Sequence, residues 1–170
     1  MRFFCLLLLS AASVLGAGEL SNRRAPGFSL PDSGAKMHDP QDYRGKLLIV
    51  DFMQVTCPHC VTFSAILEQA KAKYGDRIAV LSIVNPPSDQ KGVGDYIAKN
   101  KITTPILFDC GQVAFSYLKP SSPQITIPHV FLIDEAGIIK NDFGFATANA
   151  AIFEGKALFT EIDKMLAPKR

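Results

Sequence analysis

The chain has 170 residues, of which 18 are basic and 16 acidic for a net charge of +2, and 48% are hydrophobic. Charges of both signs are interspersed without a single-sign run, which argues against nucleic acid or an anionic membrane surface as a partner. The apolar content, without repeats or low-complexity tracts, excludes a disordered chain.

Met1-Arg2 precedes the apolar run Phe3-Phe4-Cys5-Leu6-Leu7-Leu8-Leu9 and small residues around Gly16-Ala17-Gly18, the layout of a secretory signal. The run is short for a bilayer span, which takes about 20 apolar residues. Residues 1–18 are therefore expected to be a signal peptide removed on export, with Cys5 part of it and a retained N-terminal membrane anchor as the alternative. Residues 19–170 then form one domain, since about 150 residues suffice for a single core. The mature chain keeps Cys57, Cys60 and Cys110, an odd count unlike the dense pairing of a disulfide-stapled scaffold.

Further along, Phe28-Ser29-Leu30 and Lys36-Met37-His38 flank the turn former Asp32-Ser33-Gly34 and predict a short hairpin. Leu47 to Met53 is a nearly continuous apolar run, as in a strand covered on both faces. From Pro58 to Tyr74, Phe63, Ile66, Leu67, Ala70 and Tyr74 recur at helical spacing, opposite Glu68, Gln69, Lys71 and Lys73, and Gly75-Asp76 ends the helix. Ile78 to Val84 predicts the next strand, and Asn85-Pro86-Pro87-Ser88 a loop, because consecutive prolines break regular structure.

A short helix is expected around Val93 to Asn100, a strand at Pro105 to Phe108, a brief helix near Val113 to Leu118, and a loop over Lys119 to Pro123. Val130 to Ile133 and Ile138 to Phe143 predict antiparallel strands joined by Asp134-Glu135-Ala136-Gly137. One closing amphipathic helix would carry Ile152, Leu158, Phe159, Ile162 and Leu166, with Lys169 and Arg170 beyond its negative end. The alternation predicts an α/β protein, a three-layer α/β/α sandwich with an N-terminal β-hairpin.

Cys57-Pro58-His59-Cys60 stands between the Leu47–Met53 strand and the helix that follows. With Cys57 as the capping residue and Pro58 at the first helical position, proline loses nothing by lacking an N–H and starts the helix cleanly. The free N–H groups of His59 and Cys60 would then face the Cys57 sulfur and favour its thiolate. Helix N-termini and nearby cations bring a cysteine pKa from ~8.5 into a range of about 3.5 to 7.5. Cys57 is thus the expected nucleophile. Cys60, one turn on and facing inward, is the resolving thiol that attacks the mixed disulfide and frees the substrate.

His59, protonated part of the time near neutral pH, would stabilise a thiolate and hence the reduced protein, giving a relatively oxidising couple. Asp51 sits in a strand that otherwise excludes charge, where a carboxylate is either paired, functional, or facing water at the strand end. A zinc half-site at the cysteine pair would need ligands beyond Cys57 and Cys60, from among Cys110, His38, His59 and His129. Cys110 itself is expected to be a buried small hydrophobe.

Val50-Asp51-Phe52 ahead of the cysteine pair, and Ile127-Pro128 ahead of a late strand, resemble the thioredoxin superfamily. Ala25-Pro26-Gly27-Phe28-Ser29-Leu30, Arg44-Gly45-Lys46 and Phe131-Leu132-Ile133-Asp134 look more narrowly like its exported TlpA/ResA redoxin branch, from about Ala25 onward. Cys-Pro-His-Cys followed by Phe63 looks like the active site of DsbA-type oxidases. The resemblance implies a thioredoxin-like mixed central sheet and a redox-active Cys57–Cys60 disulfide with no other cofactor. By the same resemblance Asp51 takes the proton from Cys60, and Pro128 is cis against the cysteine pair, with Ile127 offering its backbone to extended substrate. It implies a monomer in the bacterial periplasm or another extracytoplasmic space, acting on protein thiols or disulfides and served by a membrane or periplasmic redox partner.

Thr56 stands where the family commonly has Trp, and Phe63 where reducing cytochrome-maturation members often carry an acid, which argues against a cytochrome c role. The Cys60-to-Pro128 spacing leaves no room for the helical insertion of full DsbA proteins. The sequence thus predicts an exported thiol-disulfide oxidoreductase. Two alternatives remain: a thiol peroxidase of peroxiredoxin type, although that family wants Pro and Thr where this chain has Val50 and Gln54, and a non-catalytic copper or zinc carrier.

Overall fold

The computed structural model describes residues 19–120 and 125–168. The expected signal segment 1–18, residues 121–123 of the expected Lys119–Pro123 loop, and Lys169 and Arg170 lie outside them. Among the described residues no helix is long and apolar enough to cross a membrane.

Among the described residues, eight strands and five helices run in the order β1 (Arg23–Arg24), β2 (Leu30–Pro31), β3 (Met37–His38), β4 (Leu47–Met53), α1 (Pro58–Tyr74), β5 (Ile78–Val84), α2 (Gln90–Asn100), β6 (Ile106–Phe108), α3 (Gln112–Leu118), β7 (His129–Ile133), β8 (Ile138–Gly144), α4 (Ala150–Phe153) and α5 (Lys156–Leu166). Six strands make one sheet in the order β1-β8-β7-β4-β5-β6. β4, β5 and β6 are parallel, while β7, β8 and β1 add antiparallel. β2 and β3 form the expected hairpin, with Leu30 opposite His38.

Every residue of β4 and β5 is buried, as required of central strands covered on both faces. Alternation sends Leu47 and Ile49 of β4 into a core with α1, α4 and α5 and Leu48, Val50 and Phe52 into a core with α3 and the N-terminal segment. Asp51 and Met53 therefore share the α1 face. Met53 joins a third cluster with Cys60, Val93 and Tyr96, at the junction of α1 and α2. Helices cover both faces of a mixed sheet, and the three-layer expectation holds.

Three expectations are corrected. The closing helix is two helices, because Gly155 adopts a φ of 93° between α4 and α5, a left-handed conformation that ends one helix and re-aims the chain. Arg23–Arg24, which the sequence pattern leaves unassigned, forms an edge strand on β8. Cys110 is exposed rather than buried, because β6 ends at Phe108 and Gly111, at a φ of 107°, turns the chain outward into α3.

Sheet register gathers the segments that matter. β4 ends at Met53, opposite Val84, the last residue of β5, and Phe52 lies opposite His129, the first residue of β7. His129 in turn faces Gly144 at the end of β8. The residues just beyond these positions, Gln54 to Cys57, Asn85, Pro128 and Phe145, consequently meet at the carboxyl ends of the parallel strands, the usual location of a site in an open α/β sheet.

Candidate active site

Gln54, Val55 and Thr56 turn the chain from β4 into α1, the Cys57 N–H donating to the Gln54 carbonyl at 3.1 Å. Cys57 caps the helix with extended backbone angles, φ −86° and ψ 116°, and Pro58 stands at its start. The backbone N–H of Cys60 donates to Cys57 Sγ at 3.3 Å, and Val61 N–H closes the first helical turn on the Cys57 carbonyl at 3.2 Å. The Cys57 sulfur is half-buried, while Cys60 is fully buried one turn below it.

Burial pushes the Cys60 thiol well above the ordinary range, and its hydrogen bond with Cys57 and the nearby Asp51 charge push the same way. The Gln54 backbone opposes this more weakly. The two sulfurs are thus differentiated, one at the surface on a helix end and one inside beneath it.

Asp51 is wholly buried, and neither carboxylate oxygen has a hydrogen-bond partner among the described residues. Desolvation alone raises its pKa from the ordinary 3.8 to about 8, because a lone buried carboxylate is costly and keeps its proton. It lies on the α1 face of β4, within electrostatic reach of Cys60. The strand-end, water-facing alternative is excluded by its burial.

His59 is exposed and its ring stacks on Phe145, centroids 4.2 Å apart at 28°. Phe145 meets Phe153 edge-on at 5.3 Å, which meets Phe63 at 4.9 Å, so an aromatic series runs from the helix end into the core. The Phe145 N–H also donates to the Pro128 carbonyl at 3.0 Å. The Ile127–Pro128 peptide bond is cis. Ile127 and Cys57 both pack against the cluster containing Cys60 and Met53. Of the residues singled out by sequence, Cys57, Cys60, Asp51, His59, Ile127 and Pro128 therefore share one end of the sheet.

Two features here escape sequence inspection. Tyr96, on the buried face of α2, donates to Ser64 Oγ at 2.8 Å and reaches the Cys60 carbonyl at 3.5 Å, which braces the first turns of α1. A groove of about 280 Å³ opens beside Gln54 and Ile127, walled also by Phe52, Met53, Asn85 and Pro86. Asn85 Oδ1 is itself buried, without a partner among the described residues. Neither could be read from periodicity, because each depends on which segments the register brings together.

The other candidate ligands lie elsewhere. His38 is buried between Tyr43 Oη at 2.5 Å and Asp32 Oδ2 at 2.9 Å. His129 stacks on Phe131 and faces Asp142 at 3.5 Å. Among the described residues no group of three or more His, Cys, Asp or Glu side chains is placed to hold a metal ion.

Residues 21–142 match the AhpC/TSA family. The chain is 25% identical to the thioredoxin-like protein YneN of Bacillus subtilis over 126 residues, 73% of this chain and 71% of that protein. A candidate protein disulfide isomerase from Bacteroides thetaiotaomicron superposes with a TM-score of 0.70 at 22% identity, covering 86% of this chain and 89% of that one. A secreted Mycobacterium tuberculosis disulfide oxidoreductase homologous to E. coli DsbE superposes with a TM-score of 0.63 at 18% identity, over 78% of this chain and 95% of the other. These superpositions establish a thioredoxin-like fold.

Proposed function

The chain belongs to the AhpC/TSA family, and from that premise we propose that it is a thiol-disulfide oxidoreductase that exchanges disulfides with protein cysteines outside the cytoplasm. The observation that carries the reading is the Cys60 N–H aimed at Cys57 Sγ with the Cys60 thiol buried beneath it. The N–H groups at a helix start favour negative charge beside them, and the thiolate is the form that attacks a disulfide.

In the reducing direction, Cys57 thiolate attacks one sulfur of the substrate disulfide and the other sulfur leaves as thiolate. Asp51 in its ionised form then takes the proton of Cys60, and the Cys60 thiolate attacks Cys57, which closes the Cys57–Cys60 disulfide and releases the second substrate thiol. Two electrons pass from the protein to the substrate. Oxidation of a substrate dithiol is the same path reversed. Burial keeps the Asp51 proton on until about pH 8, so the ionised acceptor form grows as pH rises toward that value, at a position that water does not reach. Ile127, beside cis Pro128, offers the backbone edge against which an extended substrate lies.

His59 and the helix end favour the reduced protein, so the couple is relatively oxidising, and a membrane or periplasmic partner restores the working state of the monomer after export of residues 19–170. Mixing the reduced protein with a disulfide-bearing peptide tests the reading: two peptide thiols appear per protein as the Cys57–Cys60 disulfide forms. No thiol release would end it.

The family match also favours a second reading, a thiol peroxidase, in which Cys57 thiolate would attack a peroxide oxygen. Val50 and Gln54, where peroxiredoxins carry Pro and Thr, oppose it. Hydrogen peroxide consumption at a rate exceeding that of disulfide exchange would select it.

A further inference from the structure

Phe145 stands where the end of β8, the Pro128 loop and the start of α1 converge. Gly144 lies opposite His129, so close that a Cβ on it would come within 3.2 Å of the His129 ring, and the N–H of the next residue then reaches the Pro128 carbonyl at 3.0 Å. The Phe145 ring is anchored in the core. It meets Phe153 edge-on at 5.3 Å, and Phe153, 4% exposed, meets the fully buried Phe63 at 4.9 Å. Against this anchored ring lies the imidazole of His59, centroids 4.2 Å apart.

His59 is exposed on the first turn of α1, just past Cys57 and Pro58. An exposed side chain without contacts visits several staggered rotamers. What an imidazole does to a neighbouring sulfur depends on where its ring sits, because electrostatic influence falls with distance. An aromatic pair of ordinary strength shifts such a rotamer equilibrium by about fivefold, so the contact with Phe145 keeps the His59 ring at one place between the helix start and the Pro128 loop.

Resting on the oxidoreductase reading, we propose that Phe145 is a positioning residue for the redox couple: its ring holds the His59 imidazole in place and thereby sets how far the equilibrium favours reduced Cys57 and Cys60. In that equilibrium two glutathione thiols become one glutathione disulfide as the Cys57–Cys60 bond breaks. Two electrons pass to the protein, which is left with the Cys57 thiolate and the Cys60 thiol, and one proton goes to solvent. Whatever favours the reduced form makes the couple more oxidising. Phe145 acts on it through His59 alone.

Wild type, Phe145→Leu, His59→Ala and the double variant, each equilibrated at neutral pH with mixtures of glutathione and glutathione disulfide, provide the test. Phe145→Leu keeps an apolar side chain against Phe153 and the backbone N–H on Pro128, so the stack is what it removes. It should lower the equilibrium constant for reduction of the protein about fivefold, or about 20 mV at ~30 mV per tenfold change. In the His59→Ala background the same substitution should change nothing, as expected of two residues that act as one unit. Phe145→Tyr, which keeps the ring, should match wild type. A cooperative urea transition shows that Phe145→Leu is folded, and Phe145→Met repeats the comparison if it is not. An unchanged constant in the folded variant, or an equal shift with and without His59, overturns the positioning role and leaves the exchange chemistry standing. A wild-type protein whose Cys57 and Cys60 do not equilibrate with glutathione overturns the oxidoreductase reading and the positioning role with it.

Discussion

The ring of His59 lies on the ring of Phe145, with centroids 4.2 Å apart and planes 28° from parallel, and the Phe145 N–H holds the Pro128 carbonyl at 3.0 Å. The second of the two residues between the cysteines is thereby tied to the loop expected to carry substrate. His59→Ala removes the imidazole from the helix end and should make the couple more reducing by about 30–60 mV, since 30 mV corresponds to ~1.4 kcal/mol in a two-electron exchange. Equilibration with glutathione buffers reads the shift. Wild type should lie above the strongly reducing value of about −270 mV found for thioredoxin, and an unchanged potential in His59→Ala would remove the tuning role.

Asp51 links chemistry to stability through pH. Its carboxyl is neutral in the fold up to about pH 8 but ionises from the ordinary 3.8 in the unfolded chain. The raised value means that its contribution to stability is complete below about 3.8 and is lost as pH rises to about 8. Asp51→Asn should flatten stability across that window and raise it at pH 8, by an amount on the order of a few kcal/mol. The same change should slow closure of the Cys57–Cys60 disulfide, because Cys60 loses its proton acceptor. Urea denaturation at pH 5 and pH 8, with single-turnover exchange, checks both; a parallel pH dependence in the variant and wild type would contradict them.

Glu68 pins α1 to the chain entering β6. It accepts from the backbone N–H groups of Thr103 and Thr104, both at 2.9 Å, and from both hydroxyls, that of Thr104 at 2.8 Å. Burial works to raise its pKa, but the Thr103 and Thr104 donors outweigh it and hold the carboxyl below the ordinary 4.5. Its stabilisation is present above 4.5 and is lost as pH falls through the depressed value. Glu68→Ala should cost about 1–3 kcal/mol at neutral pH, because the N–H and hydroxyl of Thr104, 8% exposed, lose their acceptor. Denaturant midpoints at pH 7 and pH 4 should differ less in the variant than in wild type.

Much of this molecule is legible in its sequence where a period is strong. Leu47–Met53, Pro58–Tyr74 and Ile78–Val84 have the same bounds in structure and pattern, because a seven-residue apolar run broken once, by Asp51 or Ser82, or a long amphipathic stretch admits one reading. Arg23–Arg24 pairs through its backbone alone, so its side chains carry no strand signal. Gly155 interrupts an apolar helical pattern that otherwise runs through, and a left-handed φ is invisible to periodicity. Cys57 and Cys60 are found from their spacing and Pro58. The proximity of Phe145, Tyr96 and Asn85 to them follows from strand register and helix packing, which no local pattern encodes.

Trapping tests the central claim most directly. Cys60→Ser, incubated with a disulfide-bearing peptide, has a nucleophile but no resolving thiol, so the mixed disulfide should persist and mass spectrometry should place it on Cys57. The double variant Cys57→Ser with Cys60→Ser should form none. Cys110 is exposed and is the competing nucleophile, so an adduct found on Cys110, or one that survives removal of Cys57, would contradict the account.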